Sequence, residues 1–508
     1  MNSIEKHTLR MEVKKIIVCF FVSYLFNYST AADFWAMDRR LYMHWQRSDT
    51  AAVFLAIAIC AAIFYLAYSV ISRQGRYGRM LAEMLFVFVT LFYFKINMVE
   101  VLGVRDLAMT GALHVALHLV VALAILAYII FREKMVYVVR VLCKIYSPIL
   151  IVYAVILLNH QPVKTNYQPV HAQTPIIAVK PVKSISKVCV IIFDSWAYSR
   201  IFRDREIDRA YPNISKLASM SYVFHQAYSP AKSTKHSLPS LLSGVKGESV
   251  LMENEELLFK STVGAKKLDD YEHIFKRMKA LGYSTELTGY YLPYPEMIST
   301  GVDSGRSWSY YKYLGDGVLA NTGILLLNAI SLRISFIWGV EKALSMIKNN
   351  YFAELAVNIH IDCLKMLSSA GKRFGFYHYS VPHEPSIFER TGAADCQLPS
   401  RDYTIKGYEG NLEYVDTLVG NVLKTIASTS DGTMLIVTSD HSWKYDPCYQ
   451  YDPSLGAREI QHVPMFVHLP GQTKREDVDQ RFENVNTGML IYKYLSSDAN
   501  VMDIINEF

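Results

Sequence analysis

The sequence predicts an α/β protein in two parts: an N-terminal bundle of about five transmembrane helices, then a domain with a mostly parallel sheet flanked by helices. The chain has 508 residues, of which 51% are hydrophobic, and this share is too high for one ordinary soluble domain. Its long apolar runs lie almost entirely before residue 160. After residue 187, short β-branched runs alternate with helical patterns, which is typical of a mostly parallel sheet.

Long apolar runs in the first third of the chain are candidate membrane spans, since each approaches the roughly 20 residues that cross a bilayer as a helix. They lie near residues 16–37, 51–72, 80–103, 108–131 and 135–158. The run 51–72 is the clearest. Asn27 and Asp33 interrupt the first run, and Arg140 interrupts the last. A cleaved signal peptide is the alternative for the first run, but no clear small-residue cleavage site precedes a soluble domain.

Basic residues beside these runs predict the orientation, because short loops rich in Lys and Arg stay in the cytoplasm. The groups are Lys6, Arg10, Lys14 and Lys15; Arg73, Arg76 and Arg79; and Arg132 and Lys134. Everything after residue 159 then lies outside the cytoplasm. We therefore expect a multi-pass protein of the inner (plasma) membrane, with its second domain on the periplasmic or extracellular side. Arg39, Arg40 and Arg47 conflict with this topology, which makes their loop external.

Composition also predicts the domain boundaries. Residues 1–158 form the transmembrane domain, residues 159–186 a Pro-rich extended linker, and residues 187–508 the extracytoplasmic domain. Within the last domain, residues 318–346 are unusually apolar for a surface insertion. Two alternatives are open: a buried helix, or an interfacial helix whose apolar side chains enter the bilayer. The side chains that would enter it are Leu327, Ile330, Phe336 and Trp338.

The net charge and the cysteine content limit the range of expected partners and cellular compartments. The net charge of +6 is mild and forms no basic stripe, so we expect a membrane partner and no nucleic acid. Of the seven cysteines, Cys396 and Cys448 fall in polar segments outside the membrane, where disulfides persist. These two cysteines are predicted to pair.

Metal-binding side chains follow two apolar, β-branched runs of the predicted sheet. One run ends at Asp194, and the other ends at Asp440 and His441. Chemistry in open α/β sheets collects at the carboxyl ends of the strands, so these side chains are expected to lie together. Two carboxylates and an imidazole suit Zn²⁺ or Mn²⁺. Either Asp alone is equally well explained as the start of a turn, but the set with His441 favours a metal site.

A candidate nucleophile lies between those two runs. The segment Tyr228–Gly244 has a hydroxyl-rich start and an apolar end, and a helix that begins at about Thr234 directs its first amides toward an anion. A metal-bound hydroxyl at this place loses its proton more easily and attacks phosphorus or sulfur. Ser233 and Thr234 both qualify, and each is also explained as an N-cap residue. The residues alone do not choose between the two hydroxyls.

Several short motifs occur in a fixed order between residues 185 and 472. They are Asp194, Leu241-Leu242-Ser243-Gly244, Gly282-Tyr283 with Gly289, Pro382-His383-Glu384-Pro385, Tyr414-Val415-Asp416 with Gly420, Thr438-Ser439-Asp440-His441, Val463-Pro464 and Pro470-Gly471. Together they resemble the alkaline phosphatase superfamily, specifically its sulfatase-like branch, which includes membrane-anchored phosphoethanolamine and phosphoglycerol transferases. Each motif is weak alone, and their order and spacing carry the resemblance.

The resemblance implies an alkaline-phosphatase/sulfatase-like domain and roles for its residues. Sulfatases carry Cys-x-Pro-Ser-Arg-x-x-Leu-Leu-Thr-Gly, and aligning its end on Gly244 puts Thr234 in the nucleophile position, where the transferases use Thr. The implied metal ligands are Asp194, Thr234, Asp440 and His441, for Zn²⁺ or Mn²⁺, with Mg²⁺ or Ca²⁺ as alternatives. His383 matches the family's Pro-His-x-Pro turn, as a candidate phosphate ligand or general acid. Weaker candidates are His378, His236, His462 and Lys444.

Departures from the sulfatase pattern narrow the expected chemistry. Position 234 is neither Cys nor Ser, so the formylglycine of true sulfatases cannot form there. The sulfatase Arg four places on is Leu238, and the Gly-Lys-x-His element is Gly289-Tyr290-Tyr291-Leu292. A sulfate-ester hydrolase is therefore disfavoured. The family's usual Asp-His-Gly ends in Ser442 here, which leaves the subgroup open.

The expected function is a membrane-anchored, metal-dependent transferase. Thr234 attacks a phospholipid donor, and a phospho-Thr intermediate passes the head group, phosphoethanolamine or phosphoglycerol, to a glycan or lipid acceptor. Two alternatives stay open. One is a phosphoric or sulfuric ester hydrolase of the same superfamily, and the other is a non-catalytic relative that senses lipid.

Overall fold

The computed structural model describes residues 12–13, 15–24, 46–101, 178–253, 256–261, 264–309, 317–331, 338–388, 404–429, 432–446 and 460–508, with scattered positions between residues 123 and 167. After a short apolar helix at Lys15–Tyr24, the helices described are α1 (Arg47–Ser72), α2 (Gly75–Val101), α3 (Pro212–Ala218), α4 (Thr234–Ser243), α5 (Ile274–Ala280), α6 (Tyr294–Met297), α7 (Val318–Ser331), α8 (Trp338–Ser368), α9 (Ile405–Ser428), α10 (Thr487–Ser496) and α11 (Val501–Ile505).

The strands of the described residues all lie after the predicted linker. They are β1 (Lys187–Asp194), β2 (Phe202–Arg203), β3 (Glu206–Ile207), β4 (Tyr222–Phe224), β5 (Ala227–Tyr228), β6 (Gly247–Glu253), β7 (Glu256–Ser261), β8 (Gly264–Lys266), β9 (Ser284–Tyr290), β10 (Ser304–Trp308), β11 (Arg373–Pro382), β12 (Thr433–Ser439), β13 (Met465–His468), β14 (Glu476–Val478) and β15 (Phe482–Glu483).

The chain divides into two compact units. The first unit consists of Met1–Arg40, Trp45–Pro162 and Leu314–Glu341. The second unit consists of Leu41–His44, Val163–Tyr313 and Lys342–Phe508. Most of the apolar insertion at residues 318–346 therefore belongs to the first unit, although it lies within the sequence of the second.

One helix of the first unit has the length and composition of a membrane span. Helix α1 has 26 residues and a mean hydropathy of 2.4 over its most apolar window, and no other helix in the described part of the chain meets both conditions. It contains the predicted span 51–72. The run 80–103 lies largely on α2, while the runs 108–131 and 135–158 fall mostly outside the described residues. The bundle of about five spans thus stays a prediction.

The second unit is built on an eight-stranded sheet with the strand order β10-β9-β11-β1-β12-β13-β4-β14. Strand β13 pairs antiparallel with both of its neighbours, and the other pairs in the sheet are parallel. This confirms the predicted α/β domain with a mostly parallel sheet. Every residue of β1 is buried, as expected for a central strand covered on both faces.

Alternate residues of β1 enter two hydrophobic cores, one on each face of the sheet. Val188, Val190 and Ile192 pack in one core with residues of α4, α5, α10 and α11. Cys189, Ile191 and Phe193 pack in the other with residues of α3, α8 and α9. Because successive side chains of a strand point to opposite faces, one continuous apolar run supplies both cores. This packing fixes the strand that ends at Asp194.

The register of the sheet brings polar side chains to one edge. Phe193 pairs with Ser439, so the next residue of each strand, Asp194 and Asp440, lies beside the other at the strand ends. Ile192 pairs with His378 on β11, and His378 in turn pairs with Gly289 on β9. Neighbouring residues of parallel strands point to the same face, and this edge is the carboxyl end of all the strands concerned. A candidate site is expected there.

The described part of the predicted linker lies along the second unit. The amide of Tyr167 donates to the carbonyl oxygen of Gly305 at 3.1 Å, and that of Val179 donates to the carbonyl oxygen of Ala280 at 2.7 Å. These residues are extended, and their amides form hydrogen bonds with the second unit rather than within a helix. The predicted domain boundaries stay predictions.

Two cysteines of the second unit approach each other in the core. The sulfur atoms of Cys189 and Cys363 are 3.8 Å apart, and both residues are buried as free thiols. Cys396 and Cys448, the predicted disulfide pair, lie outside the described residues.

Candidate active site

Two buried carboxylates form the base of the site. Asp194 ends β1 and Asp440 follows β12, and neither side chain is exposed. Ser195 turns the chain after β1 with a φ of +64°, and its amide donates to Oδ1 of Asp440 at 3.2 Å. The amide of His441 donates to the same oxygen at 2.8 Å. Oδ2 of Asp440 has no hydrogen-bond partner among the described residues, and burial raises the pKa of this carboxyl group.

His441 presents one ring nitrogen to both carboxylates. Its Nε2 lies 3.6 Å from Oδ1 of Asp194 and 3.6 Å from Oδ2 of Asp440. Its Nδ1 donates to the carbonyl oxygen of Ser442 at 2.8 Å, which fixes a proton there. Burial lowers the pKa of His441 to about 4. The imidazole is therefore neutral at pH 7, with the Nε2 lone pair directed at the carboxylates, as in a metal-ligating histidine.

Thr234 completes this group from the first turn of α4. Its Oγ1 donates to Oδ2 of Asp194 at 3.3 Å and lies 3.4 Å from Nε2 of His441. Ser233 precedes the helix as its N-cap residue, and its hydroxyl lies instead 2.7 Å from Nδ1 of His236. Of the two hydroxyls that the sequence left open, only that of Thr234 has a contact with the carboxylates. The site residues predicted as metal ligands are thus brought together.

His378 joins the same group, although the sequence ranked it only as a weaker candidate. It is fully buried on β11, with Nε2 at 3.8 Å from Oδ2 of Asp194 and without a hydrogen-bond partner among the residues described. Its Nδ1 contacts the carbonyl oxygen of Tyr290 at 3.2 Å and the hydroxyl of Tyr294 at 2.8 Å. Burial lowers its pKa to about 4, so the ring is neutral. One ligand atom each from Asp194, His378 and Asp440 lies within 4.8 Å of the others.

His383 lies in the turn that follows β11. Its Nδ1 donates to the carbonyl oxygen of Glu384 at 2.7 Å. Burial acts to lower the pKa of His383, but the carboxylates of Glu384 and Asp194 outweigh it, so that the pKa is raised. A raised pKa favours the protonated ring, which is the form that a general acid needs. The structure thus places His383 within electrostatic reach of the carboxylate cluster.

The donors of this cluster fit a divalent metal ion. They are two carboxylates and two neutral imidazoles, the ligand set that Zn²⁺ and Mn²⁺ accept in proteins. Two of their buried polar atoms, Oδ2 of Asp440 and Nε2 of His378, have no hydrogen-bond partner among the described residues. Burying such atoms without partners costs free energy, and a cation between them offsets that cost. His378 extends the predicted ligand set.

A comparison with protein families identifies the class of this site. A family model described as "Sulfatase" matches residues 186–496, which is more than half of the chain. The chain belongs to the sulfatase family. It is therefore an enzyme of the alkaline phosphatase superfamily, as the motif order predicted. No curated protein matches the chain.

Similar solved structures include three from this superfamily. One is a protein in the alkaline phosphatase superfamily from Vibrio parahaemolyticus, at 13% identity and a TM-score of 0.40, covering 62% of this chain and 68% of that one. Another is the C-terminal periplasmic domain of EcEptC from Escherichia coli, at 13% and 0.40, covering 64% and 86%. The third is a 2-O GAG sulfatase, at 13% and 0.40, covering 63% and 72%. The likeness to these three proteins concerns the fold alone.

Tyr290 occupies the place of the lysine in the sulfatase Gly-Lys-x-His element, and it was not among the predicted site residues. Its hydroxyl donates to Oδ2 of Asp194, the oxygen that also accepts from Thr234. Its ring packs on His378, with centroids 4.8 Å apart. The preceding Gly289 makes room, because a Cβ there would lie 2.9 Å from that of His378 and 2.7 Å from the ring of Tyr294. In this sulfatase-family chain, a phenol therefore stands beside Asp194 and Thr234 where the sulfatase motif has a cation.

We expect Tyr290→Phe to lower kcat by about tenfold, because it removes one hydrogen bond to a charged group, worth about 1.5 kcal/mol or more. The loss should be in kcat rather than KM, since the phenol orients Asp194. The measurement is steady-state kinetics of both variants and wild type. Tyr377→Phe is the matched control: its hydroxyl donates to Oε1 of Glu286 at 2.9 Å, away from the cluster. An equal kcat loss in both variants would contradict a specific role for Tyr290.

Asn411 of α9 holds the turn that carries His383. Its amide nitrogen donates to the carbonyl oxygens of Pro382, His383 and Pro385 at 3.1–3.2 Å. Its amide oxygen accepts from the backbone of Ile387 and Phe388 at 3.1 and 3.2 Å. The side chain is fully buried. It therefore ties one helix to five backbone groups of the turn, and no sequence signal singles it out, because its partners are backbone atoms.

Asn411→Ala is expected to lower turnover and to leave the metal bound. The turn loses these hydrogen bonds, each worth about 1 kcal/mol, so His383 is no longer held in one position. Thr417→Ala, at an exposed position of the same helix, is the control. Turnover and metal content are measured on both variants. Loss of metal in Asn411→Ala would mean that Asn411 supports the whole sheet edge rather than the His383 turn.

Three weaker candidates of the sequence remain, His462, His236 and Lys444. His462 stacks between Tyr198 and Tyr228, with centroids 4.1 and 5.2 Å away, and its Nε2 donates to the carbonyl oxygen of His225 at 3.0 Å. His236 pairs with Ser233 as described above. Lys444 is exposed, and its charge opposes protonation of His441 and His383. An exposed cation whose charge acts on these histidines attracts an anionic substrate.

Proposed function

We propose that this sulfatase-family enzyme is a membrane-anchored, metal-dependent transferase. It moves a phospholipid head group, phosphoethanolamine or phosphoglycerol, through phospho-Thr234 to a glycan or lipid acceptor. The observation that carries the proposal is the position of the Thr234 hydroxyl, in contact with both Asp194 and His441 at the start of a helix. A threonine there cannot become formylglycine, and its phosphate ester is a suitable carrier for a group in transfer.

Asp194, Asp440 and His441, with Thr234 and His378, are the residues that would hold the metal. Zn²⁺ or Mn²⁺ fits these donors best, and Mg²⁺ or Ca²⁺ are the alternatives. When bound, such an ion lowers the pKa of the Thr234 hydroxyl and neutralises charge on the phosphoryl group.

The first half-reaction forms the intermediate. Oγ1 of Thr234 attacks the phosphorus of the donor as its proton passes to Asp194, whose Oδ2 already accepts its hydrogen bond. The bond from phosphorus to the diacylglycerol oxygen breaks, and His383 supplies a proton to that leaving oxygen. The products are diacylglycerol and Thr234 esterified with the head-group phosphate. The first amides of α4 stabilise the charge on the phosphoryl oxygens, because a helix N-terminus attracts anions.

The second half-reaction transfers the group. A hydroxyl of the glycan or lipid acceptor attacks the same phosphorus, and now deprotonated His383 takes its proton. The bond to Oγ1 of Thr234 breaks, and Asp194 returns the proton to the threonine. If water replaces the acceptor, the same steps give a hydrolase. The acceptor therefore determines the reaction class.

The membrane supplies the donor in this proposal. Helix α1 has the length and hydropathy to cross a bilayer, which supports an anchor in the inner (plasma) membrane. The multi-pass topology, with the catalytic domain on the periplasmic or extracellular side, rests on the basic loops of the sequence.

The test is peptide mapping by mass spectrometry of the full chain, loaded with Zn²⁺ or Mn²⁺ and incubated separately with phosphatidylethanolamine and phosphatidylglycerol vesicles. A head-group phosphate on Thr234 from one lipid establishes the first half-reaction and names the donor. Released phosphorylated head group, with no acceptor modified, favours the hydrolase. If metal-loaded protein gives neither of these two signals, the proposal is overturned in favour of a lipid sensor. Thr234→Ala is the blank.

A further inference from the structure

In residues 318–327 of helix α7, whose side chains the structure describes, both polar residues are buried while an aliphatic side chain is strongly exposed. Asn321 and Thr322 are buried in the first unit, together with Leu325. Leu319, in contrast, is 79% exposed, and Ala320 and Gly323 on the same side are also exposed. A surface helix of a water-soluble protein has the opposite arrangement.

The buried side of α7 contacts α1, the helix with the length of a membrane span. The amide of Asn321 donates to Oδ1 of Asp49 at 2.7 Å, and the hydroxyl of Thr322 lies 3.4 Å from the carbonyl oxygen of Ala52. Asp49 is itself buried at the start of α1. Hydrogen bonds of this kind between small and polar residues hold helices together in membranes.

Helix α1 shows the same distribution of buried and exposed side chains. Its buried residues are Asp49, Thr50, Ala52, Val53, Ala56, Ile57, Cys60 and Ala61, most of which are small or polar. Large aliphatic side chains further along the helix are exposed instead: Ile63 by 55%, Leu66 by 60% and Val70 by 58%. The two helices that pack together therefore expose apolar surface and bury polar contacts, which is stable only where the surroundings are apolar.

We propose that the outer face of α7, which contains Leu319, Ala320 and Gly323, contacts the acyl chains of the phospholipid bilayer. With 14 residues, α7 is about 21 Å long, less than the roughly 30 Å of a hydrocarbon core, so it enters the bilayer without crossing it. A segment within the sequence of the catalytic domain thereby becomes part of the membrane unit. This inference does not depend on the proposed chemistry, and its test does not measure activity.

The test is photo-crosslinking of the full chain in vesicles of phosphatidylethanolamine and phosphatidylglycerol. A benzophenone amino acid replaces Leu319, or Leu66 on the exposed face of α1, or Ile405, which is 37% exposed in the second unit. Phospholipid adducts are measured by peptide mass spectrometry. We expect an adduct yield at position 319 close to that at position 66, and at least about tenfold above that at position 405.

Two outcomes would overturn the proposal. One is an adduct yield at position 319 no higher than at position 405 while position 66 reacts, which would place α7 in water. The other is crosslinking from position 319 to a second copy of the chain in place of lipid, which would make this face an interface between subunits. Thermal melts matched to wild type exclude misfolding of the substituted proteins as the cause of either result.

Discussion

Thr234→Ala is expected to lower turnover at least about 10³-fold, because loss of a nucleophile removes the covalent route and leaves only binding and electrostatic stabilisation. The fold should persist: Thr234 is the first residue of α4, and its side chain does not cap the helix. Alanine is also the better helix former. The measurements are head-group transfer from donor vesicles, and circular dichroism for the fold.

Two neighbouring substitutions sharpen this prediction. Thr234→Ser keeps a hydroxyl at the same position, so measurable turnover should remain. Ser233→Ala removes a hydroxyl that contacts His236 rather than the carboxylates, so turnover should stay within about threefold of wild type. If Ser233→Ala were inactive and Thr234→Ala active, the nucleophile would be Ser233 and the proposed mechanism would fail.

Asp440→Asn is expected to make the metal-free protein more stable and to abolish the stabilisation that metal gives. Asp440 is fully buried, its Oδ2 has no hydrogen-bond partner among the described residues, and Asp194 is nearby. Removing a buried charge that has one oxygen without a hydrogen bond and lies beside a second carboxylate should stabilise the metal-free fold by about 1–3 kcal/mol. Wild type should gain about 2.7 kcal/mol at a Zn²⁺ concentration one hundred times Kd, and the variant should gain almost none.

The neighbouring Asp446 is the matched control, with the opposite sign expected. It is equally buried after the same strand, but its carboxylate accepts two hydrogen bonds from Arg200, through Nε at 2.7 Å and through Nη2. Asp446→Asn should destabilise the fold by about 3 kcal/mol, because it breaks a buried pair. Differential scanning calorimetry with and without metal gives both values. Destabilisation of the metal-free protein by Asp440→Asn would mean that this carboxylate has a structural partner.

The sequence was sufficient to predict the residues that directly follow strands. Asp194 and Asp440 come at the ends of long apolar runs, and a parallel sheet brings such ends together whatever the order of its strands. The residues alone did not choose between Ser233 and Thr234, because that choice depends on how α4 is rotated against β1. Only the resemblance to the sulfatase motif favoured Thr234. For a related reason, His378 was only a weaker candidate and Tyr290 was not predicted as a site residue. They lie within or at the end of strands, and only pairing with partners distant in sequence decides which face of the sheet they occupy.

The fold shows the same limits. The β-branched runs predicted a mostly parallel sheet, but nothing in the short apolar run Met465–His468 distinguishes the reversed strand β13 from its neighbours. The apolar run 51–72 has the length of a span in the structure, as its composition predicted. For the insertion at residues 318–346 the sequence left two alternatives, because its apolar content is equally compatible with a protein core and with lipid. Which helix α7 packs against depends on residues distant in sequence, and the apolar content of the segment does not reveal it.

The membership of α7 in the first unit matters to anyone who produces the enzymatic domain separately. A fragment that begins at Lys187 omits α1 and retains α7. The amide of Asn321 then loses the carboxylate of Asp49, and the exposed side chain of Leu319 lies in water. Such a fragment carries a helix with exposed apolar surface, which favours aggregation and retention of detergent. Replacing residues 314–341 with a short polar loop removes that helix and keeps every residue of the metal cluster in the chain.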